Sequence, residues 1–155
     1  LVGHPGALGQ PPPREALTFA VSQVSPGVIV DASAVTSIFL RKAGCERLID
    51  ALASAPFAGI GAPTLAEASL LLAPEVGRDV HGMLARFVQE FDLAIVPFSD
   101  AHFRAALDAH QRFGQGQHQA ALDFGDCLSY ATAHLARQPL LCDDRRFSST
   151  DLELG

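Results

Sequence analysis

Five carboxylates stand at positions where an α/β chain could gather them. Asp31 follows the β-branched run Val28-Ile29-Val30, and Asp143 and Asp144 follow Leu140-Leu141-Cys142. Glu67 and Asp126 fall in the first turns of two expected helices that could open on the same edge. Carboxylates converging without a Lys or Arg beside each repel one another, raise one another's pKa and cost stability unless a cation neutralises them. Oxygen-only ligands select hard ions, and Mg2+ or Mn2+ held by a few carboxylates and waters is the usual arrangement where the substrate brings phosphate. Such a centre activates water and stabilises a leaving oxygen.

Each acid also has a plainer role open to it. Thr64-Leu65-Ala66-Glu67 matches the capping box, in which Glu67 holds a helix start. Asp123 can be an N-cap with Asp126 favoured by the helix dipole, and Asp31 and Ser33 can cap the first helix. Against these roles, Asp126 is expected to project away from the stripe Phe124, Leu128, Ala131 and Leu135, and Asp31 follows three buried-type residues with no nearby cation. Only the combination favours a metal centre.

The elements that must position these acids read as alternating strands and helices. Strands are expected at Val28-Ile29-Val30, Phe57-Ala58-Gly59-Ile60, Leu93-Ala94-Ile95-Val96 and Leu140-Leu141-Cys142. Helices are expected over 34–40, 45–55, 63–72, 76–91, from a Ser99 cap to Phe113, and 124–136. This alternation predicts one α/β domain, a three-layer α/β/α arrangement with a short central parallel sheet. Residues 1–27, rich in Pro and Gly at the start and holding at most a short helix after Arg14, are expected to be a flexible leader, with the domain at 28–155.

The chain has 155 residues and is 48% hydrophobic, within the range of one compact domain. Its net charge is −6 and no block of Lys or Arg occurs, so a broad electrostatic grip on nucleic acid is excluded and any contact must be local. Cys45, Cys127 and Cys142 form no C-x-x-C pair and suit a reducing cytoplasm, and no apolar run is long enough to span a bilayer.

Taken in order, Val28-Ile29-Val30-Asp31-Ala32-Ser33, Ala62-Pro63-Thr64-Leu65-Ala66-Glu67, Asp123-Phe124-Gly125-Asp126 and Leu140-Leu141-Cys142-Asp143-Asp144-Arg145-Arg146-Phe147 resemble the PIN-domain ribonucleases. The resemblance is greatest to the VapC toxins of VapBC toxin–antitoxin pairs. It implies a Mg2+- or Mn2+-dependent endoribonuclease that cuts RNA, often tRNA, with metal-activated water. It also implies a VapB-type antitoxin that wraps the toxin and reaches into the acidic pocket, and toxin homodimers. Carried onto this chain, Asp31, Glu67, Asp126 and Asp144 are the acidic quartet. Asp31 and Asp126 are then the foremost direct ligands, Asp144 is next, and Glu67 acts through water or as a base. Ser33 matches a supporting hydroxyl. Two departures stand in the last motif: Cys142 where the family has Thr or Ser, and Arg146 where it commonly has Asp. They leave Asp143 as the alternative fourth acid.

Arg145 and Arg146 are candidate phosphate contacts, and Ile38, Phe39 and Leu40 are candidate partner contacts or core. A phosphoacceptor receiver domain fits poorly because the only lysine, Lys42, follows the first helix rather than a late strand. A catalytically inactive PIN-like binding domain and a stand-alone RNA-processing nuclease remain the alternatives.

Overall fold

A computed structural model describes residues 26–155. The expected leader and the helix after Arg14 lie almost entirely outside these residues. Four strands, β1 (Val28–Val30), β2 (Ala58–Gly61), β3 (Ala94–Val96) and β4 (Leu140–Leu141), form one parallel sheet in the order β3-β2-β1-β4. Six α-helices flank it: α1 (Ala32–Phe39), α2 (Cys45–Ser54), α3 (Ala62–Val76), α4 (Val80–Glu90), α5 (Asp100–Phe113) and α6 (Phe124–Ala136). A 3-10 turn over Arg145–Ser149 follows β4.

Alternation along β1 explains the layering. Val28 and Val30 join Ile60, Leu141, Leu48, Leu72, Leu84 and Phe87 in the core under α1 to α4. Ile29 points the other way and joins Leu140, Phe113, Leu122, Tyr130 and Phe147 under α5 and α6. The three-layer α/β/α expectation therefore holds. The helix expected over 76–91 is instead divided: α3 continues to Val76, and a 3-10 turn at Gly77–Asp79 precedes α4. Gly77, at φ 76°, allows that break because the left-handed region carries no Cβ penalty for glycine.

The chain leaves β1 toward β2 and β3 on one side and returns to β4 on the other. This reversal opens a crevice at the carboxyl end of β1, the usual ligand position in open parallel sheets. Asp31 N–H donates to Leu141 O at 2.9 Å, so the first acid sits beside the end of β4.

The chain segment after the 3-10 turn is tied down by a polar contact on the α5–α6 side. The fully buried Tyr130 donates its hydroxyl to Asp151 at 2.7 Å, and Arg112 donates to the same carboxylate at 2.6 Å. Burial would raise the Asp151 pKa, but the Tyr130 and Arg112 hydrogen bonds outweigh it and hold the group below the usual carboxylate range. Asp151→Ala leaves the Tyr130 hydroxyl without this acceptor and is expected to cost roughly 1–3 kcal/mol. Urea denaturation checks this, and an unchanged midpoint would show the contact to be energetically idle.

Candidate metal and active site

Asp31 ends β1 and caps α1. It is 3% exposed, and its Oδ2 accepts from Ser33 N–H at 2.9 Å and from Ser33 Oγ–H at 2.5 Å. Ser33 Oγ in turn accepts the Asp143 N–H at 3.0 Å, which ties the ends of β1 and β4 together. The two neighbouring acids after β4 then diverge. The exposed Asp143 carboxylate accepts from the Ser37 hydroxyl on α1. Asp144 caps the 3-10 turn through Arg146 N–H at 2.8 Å, and its Oδ2 accepts from Arg146 Nε at 2.9 Å and Nη2 at 2.7 Å.

The start of α6 supplies two further acids. Asp123 and Asp126 cap reciprocally: Asp126 N–H donates to Asp123 at 3.0 Å, and Asp123 N–H donates to Asp126 Oδ2 at 2.9 Å. The capping role expected for this pair is therefore real. It coexists with a second contact, because Arg146 Nη1 lies 2.8 Å from the same Asp126 Oδ2 and 3.7 Å from Asp123 Oδ2. Arg146 thus bridges Asp126 and Asp144.

Two local expectations are corrected. α3 begins at Ala62 with Gly61 as its N-cap, so Thr64 lies inside the helix and its hydroxyl pairs with buried Ser129 at 3.2 Å. Glu67 is consequently not part of a capping box. Its carboxylate packs over Gly125 instead, leaving no room there for a Cβ. The stripe Phe124, Leu128, Ala131 and Leu135 does lie opposite Asp126, but it is not the main core face: Ala131 is buried and Leu128 half-buried, yet its two ends stand in solvent. Phe124 is 81% exposed and Leu135 is also exposed, while Cys127, Tyr130, Ala133 and Asp126 itself point inward.

The electrostatics follow from burial and crowding. Burial pushes Asp126 up to about 7, with the Asp123 and Asp31 charges adding to it, against the Asp123 hydrogen bond and the Arg146 charge. Burial and the nearby Asp31 and Asp123 also raise Glu67. Asp144 is displaced the other way: burial alone would raise it, but the Arg146 hydrogen bonds and charge hold it below the usual range. Burial pushes the Cys127 and Cys142 thiols up to about 11, which suits packing rather than nucleophilic chemistry.

Asp31, Glu67, Asp123 and Asp126 thus share one electrostatic neighbourhood, and Asp144 joins it through Arg146. Among the described residues no three His, Cys, Asp or Glu side chains are gathered closely enough to ligate one ion as they stand. The donor chemistry nevertheless fits a hard divalent cation. The donors are all carboxylate oxygens, and the buried Asp31 accepts only from Ser33 among the described residues. Asp123 as a neighbour and Arg146 as a bridge were not expected from sequence. The Arg at the position of a family Asp was the available signal. Beside Asp123, exposed Phe98, Phe103, Leu107 and Phe124 help line an apolar cleft of about 720 Å3.

Comparison with known proteins agrees with this geometry. The PIN domain family model matches residues 28–153. The chain is 39% identical over 127 residues to Ribonuclease VapC36 of Mycobacterium tuberculosis, covering 81% of this chain and 91% of that protein. It is 30% identical to Ribonuclease VapC of Mycolicibacterium smegmatis, covering 81% and 97%. Among solved structures, M. tuberculosis VapC20, described as a Sarcin-Ricin loop cleaving toxin, superposes with a TM-score of 0.67 at 17% identity, covering 81% of this chain and 96% of that one. VapBC2 of Rickettsia felis, bound to a DNA fragment from its promoter, gives 0.66 at 15% identity, covering 83% and 96%. Strand order, an acidic crevice at the sheet's switch point and curated relatives over most of the chain agree: this chain belongs to the PIN-domain family, among the VapC ribonucleases.

Proposed function

We propose that this chain is a divalent-metal-dependent endoribonuclease, the toxin of a VapBC-type pair, hydrolysing phosphodiester bonds in RNA, with tRNA as the first substrate class to examine. The observation that carries this reading is that Asp31, Glu67 and Asp126, from β1, α3 and α6, lie within electrostatic reach of one another, with Asp144 joined to them through Arg146 and with Asp31 3% and Asp126 7% exposed. Asp31 and Asp126 would hold Mg2+ or Mn2+ directly, with Asp144 next and Glu67 nearby; Asp143, turned to Ser37, is the weaker fourth acid. When bound, the ion supplies an activated water and charge compensation at the leaving oxygen. Ser33 orients the Asp31 carboxylate through its hydroxyl. Glu67, raised above the usual carboxylate range, is suited to accept a proton on its carboxylate. Exposed Arg145, next to Asp144 in the chain, can meet backbone phosphate.

The same reading includes a VapB-type antitoxin as partner, a toxin homodimer, and action in the cytoplasm. Structural neighbours from Klebsiella pneumoniae and R. felis are themselves toxin–antitoxin assemblies. No described helix is long and apolar enough to cross a membrane. Leu40 is exposed at the end of α1, whereas Ile38 and Phe39 pack largely against the core. A small reading frame immediately upstream would support the pair, and its absence would favour a stand-alone nuclease.

The test is incubation of antitoxin-free protein with total RNA in Mg2+, Mn2+ or EDTA, alongside Asp31→Ala. Cutting at a few sites, lost in EDTA and in the variant, is the expected result. Folded protein that cuts no RNA with either metal would establish the second reading, a binding-only PIN-like domain. The observation favouring that second reading is the guanidinium of Arg146 among the acids.

A further inference from the structure

We infer that Arg146 is an internal counter-cation of the acid cluster, which competes with a divalent ion for Asp126 and so weakens metal binding. The inference rests on the reading of the cluster as a metal centre. One guanidinium occupies Oδ2 of both Asp126 and Asp144, at 2.8 and 2.7 Å, and its Nη1 also reaches Ala121 O at 3.4 Å. Guanidinium and divalent cation repel each other, and a carboxylate oxygen engaged by one is a poorer ligand for the other. The Asp126 side chain is only 9% exposed, so solvent screens this competition less than it would at an open surface.

The stem and tip of Arg146 differ in freedom. Its N–H is bonded to Asp144 Oδ1 and the next residue, Phe147, is fully buried, which fixes the backbone. The side chain itself is 37% exposed. Rotation of the side chain alone can therefore release Asp126 toward an incoming ion. Asp144 can keep its Arg146 N–H bond throughout, which retains the turn after β4.

Titration calorimetry of metal-free protein with MnCl2 tests this, together with melting curves in EDTA and in Mn2+. Arg146→Ala is expected to bind Mn2+ roughly tenfold or more tightly than the unaltered chain, the equivalent of losing one charge-assisted competitor. It is also expected to melt lower in EDTA and to gain more from Mn2+. Arg146→Lys, which keeps the charge without the fork, should fall between the two, and it serves if the alanine variant does not fold without metal. Equal or weaker Mn2+ binding by the variants overturns the role of Arg146. If the unaltered chain still cuts RNA with Mn2+ in that case, the ribonuclease reading survives. Absence of Mn2+ binding in every form overturns the metal-centre reading and the inference together.

Discussion

Asp126→Asn is expected to lower kcat/KM for RNA cleavage by roughly a thousandfold or more, because a metal ligand carries several kcal/mol of transition-state stabilisation. The substitution is nearly isosteric, and the amide oxygen can still accept the Asp123 N–H that now donates to Oδ2 at 2.9 Å. The Asp126 N–H that caps back onto Asp123 at 3.0 Å is untouched. The start of α6 should therefore persist, and removing a buried charge relieves the crowding that raises Asp126 and Glu67. The variant is expected to fold and, in EDTA, to melt no lower than the parent. Cleavage assays beside circular dichroism melts separate the two effects. A variant retaining activity within about tenfold would remove Asp126 from the ligand set.

The metal-free protein should lose stability as pH rises toward neutrality, and Mg2+ should restore it. Asp126 is raised from an ordinary 3.8 to about 7, so the folded chain binds this proton more tightly than the unfolded chain does. The resulting stability is fully present below about pH 4 and is lost as pH rises through about 7, a change on the order of a few kcal/mol. Glu67, also raised, acts in the same direction. Asp144 and Asp151 are lowered and act oppositely: their contributions exist above their unfolded values and vanish as pH falls through their folded ones. Melting temperatures in EDTA should consequently peak in mildly acid solution, with the neutral limb flattened by Mg2+ and by Asp126→Asn. A neutral limb equally steep with Mg2+ present would contradict the assignment.

Four of the acids could be placed from the sequence because Asp31, Asp143 and Asp144 follow apolar runs and Asp126 opens a helix, features set by local composition, whereas Glu67 lies in the second turn of α3. Val28-Ile29-Val30 and Leu140-Leu141 are strands that are buried throughout, so their ends, Asp31 and Asp143-Asp144, were readable as sheet-edge positions. Their adjacency was less readable. It depends on β1 pairing with both β2 and β4, a non-local choice made by packing α5 and α6 on the face opposite α1 to α4. The stripe on α6 misled for a related reason. Helical spacing identifies two faces but not which is buried, and here small residues with Tyr130 fill the inner face while Phe124 stands out in solvent. Thr64 and Glu67 matched a capping spacing, yet α3 starts earlier, and Thr64 meets Ser129 on another helix. The bridging role of Arg146 depends on α6 and the turn after β4 coming together, so spacing alone could not reveal it.

A crystal structure of the protein with Mn2+, read by anomalous scattering, decides whether the acid cluster is a metal centre. A Mn2+ peak is expected in the crevice between Asp31 and Asp126, with the Arg146 guanidinium turned away from Asp126. Crystals of RNA-cleaving protein with no Mn2+ at these acids, or with the ion bound elsewhere on the chain, would contradict that assignment.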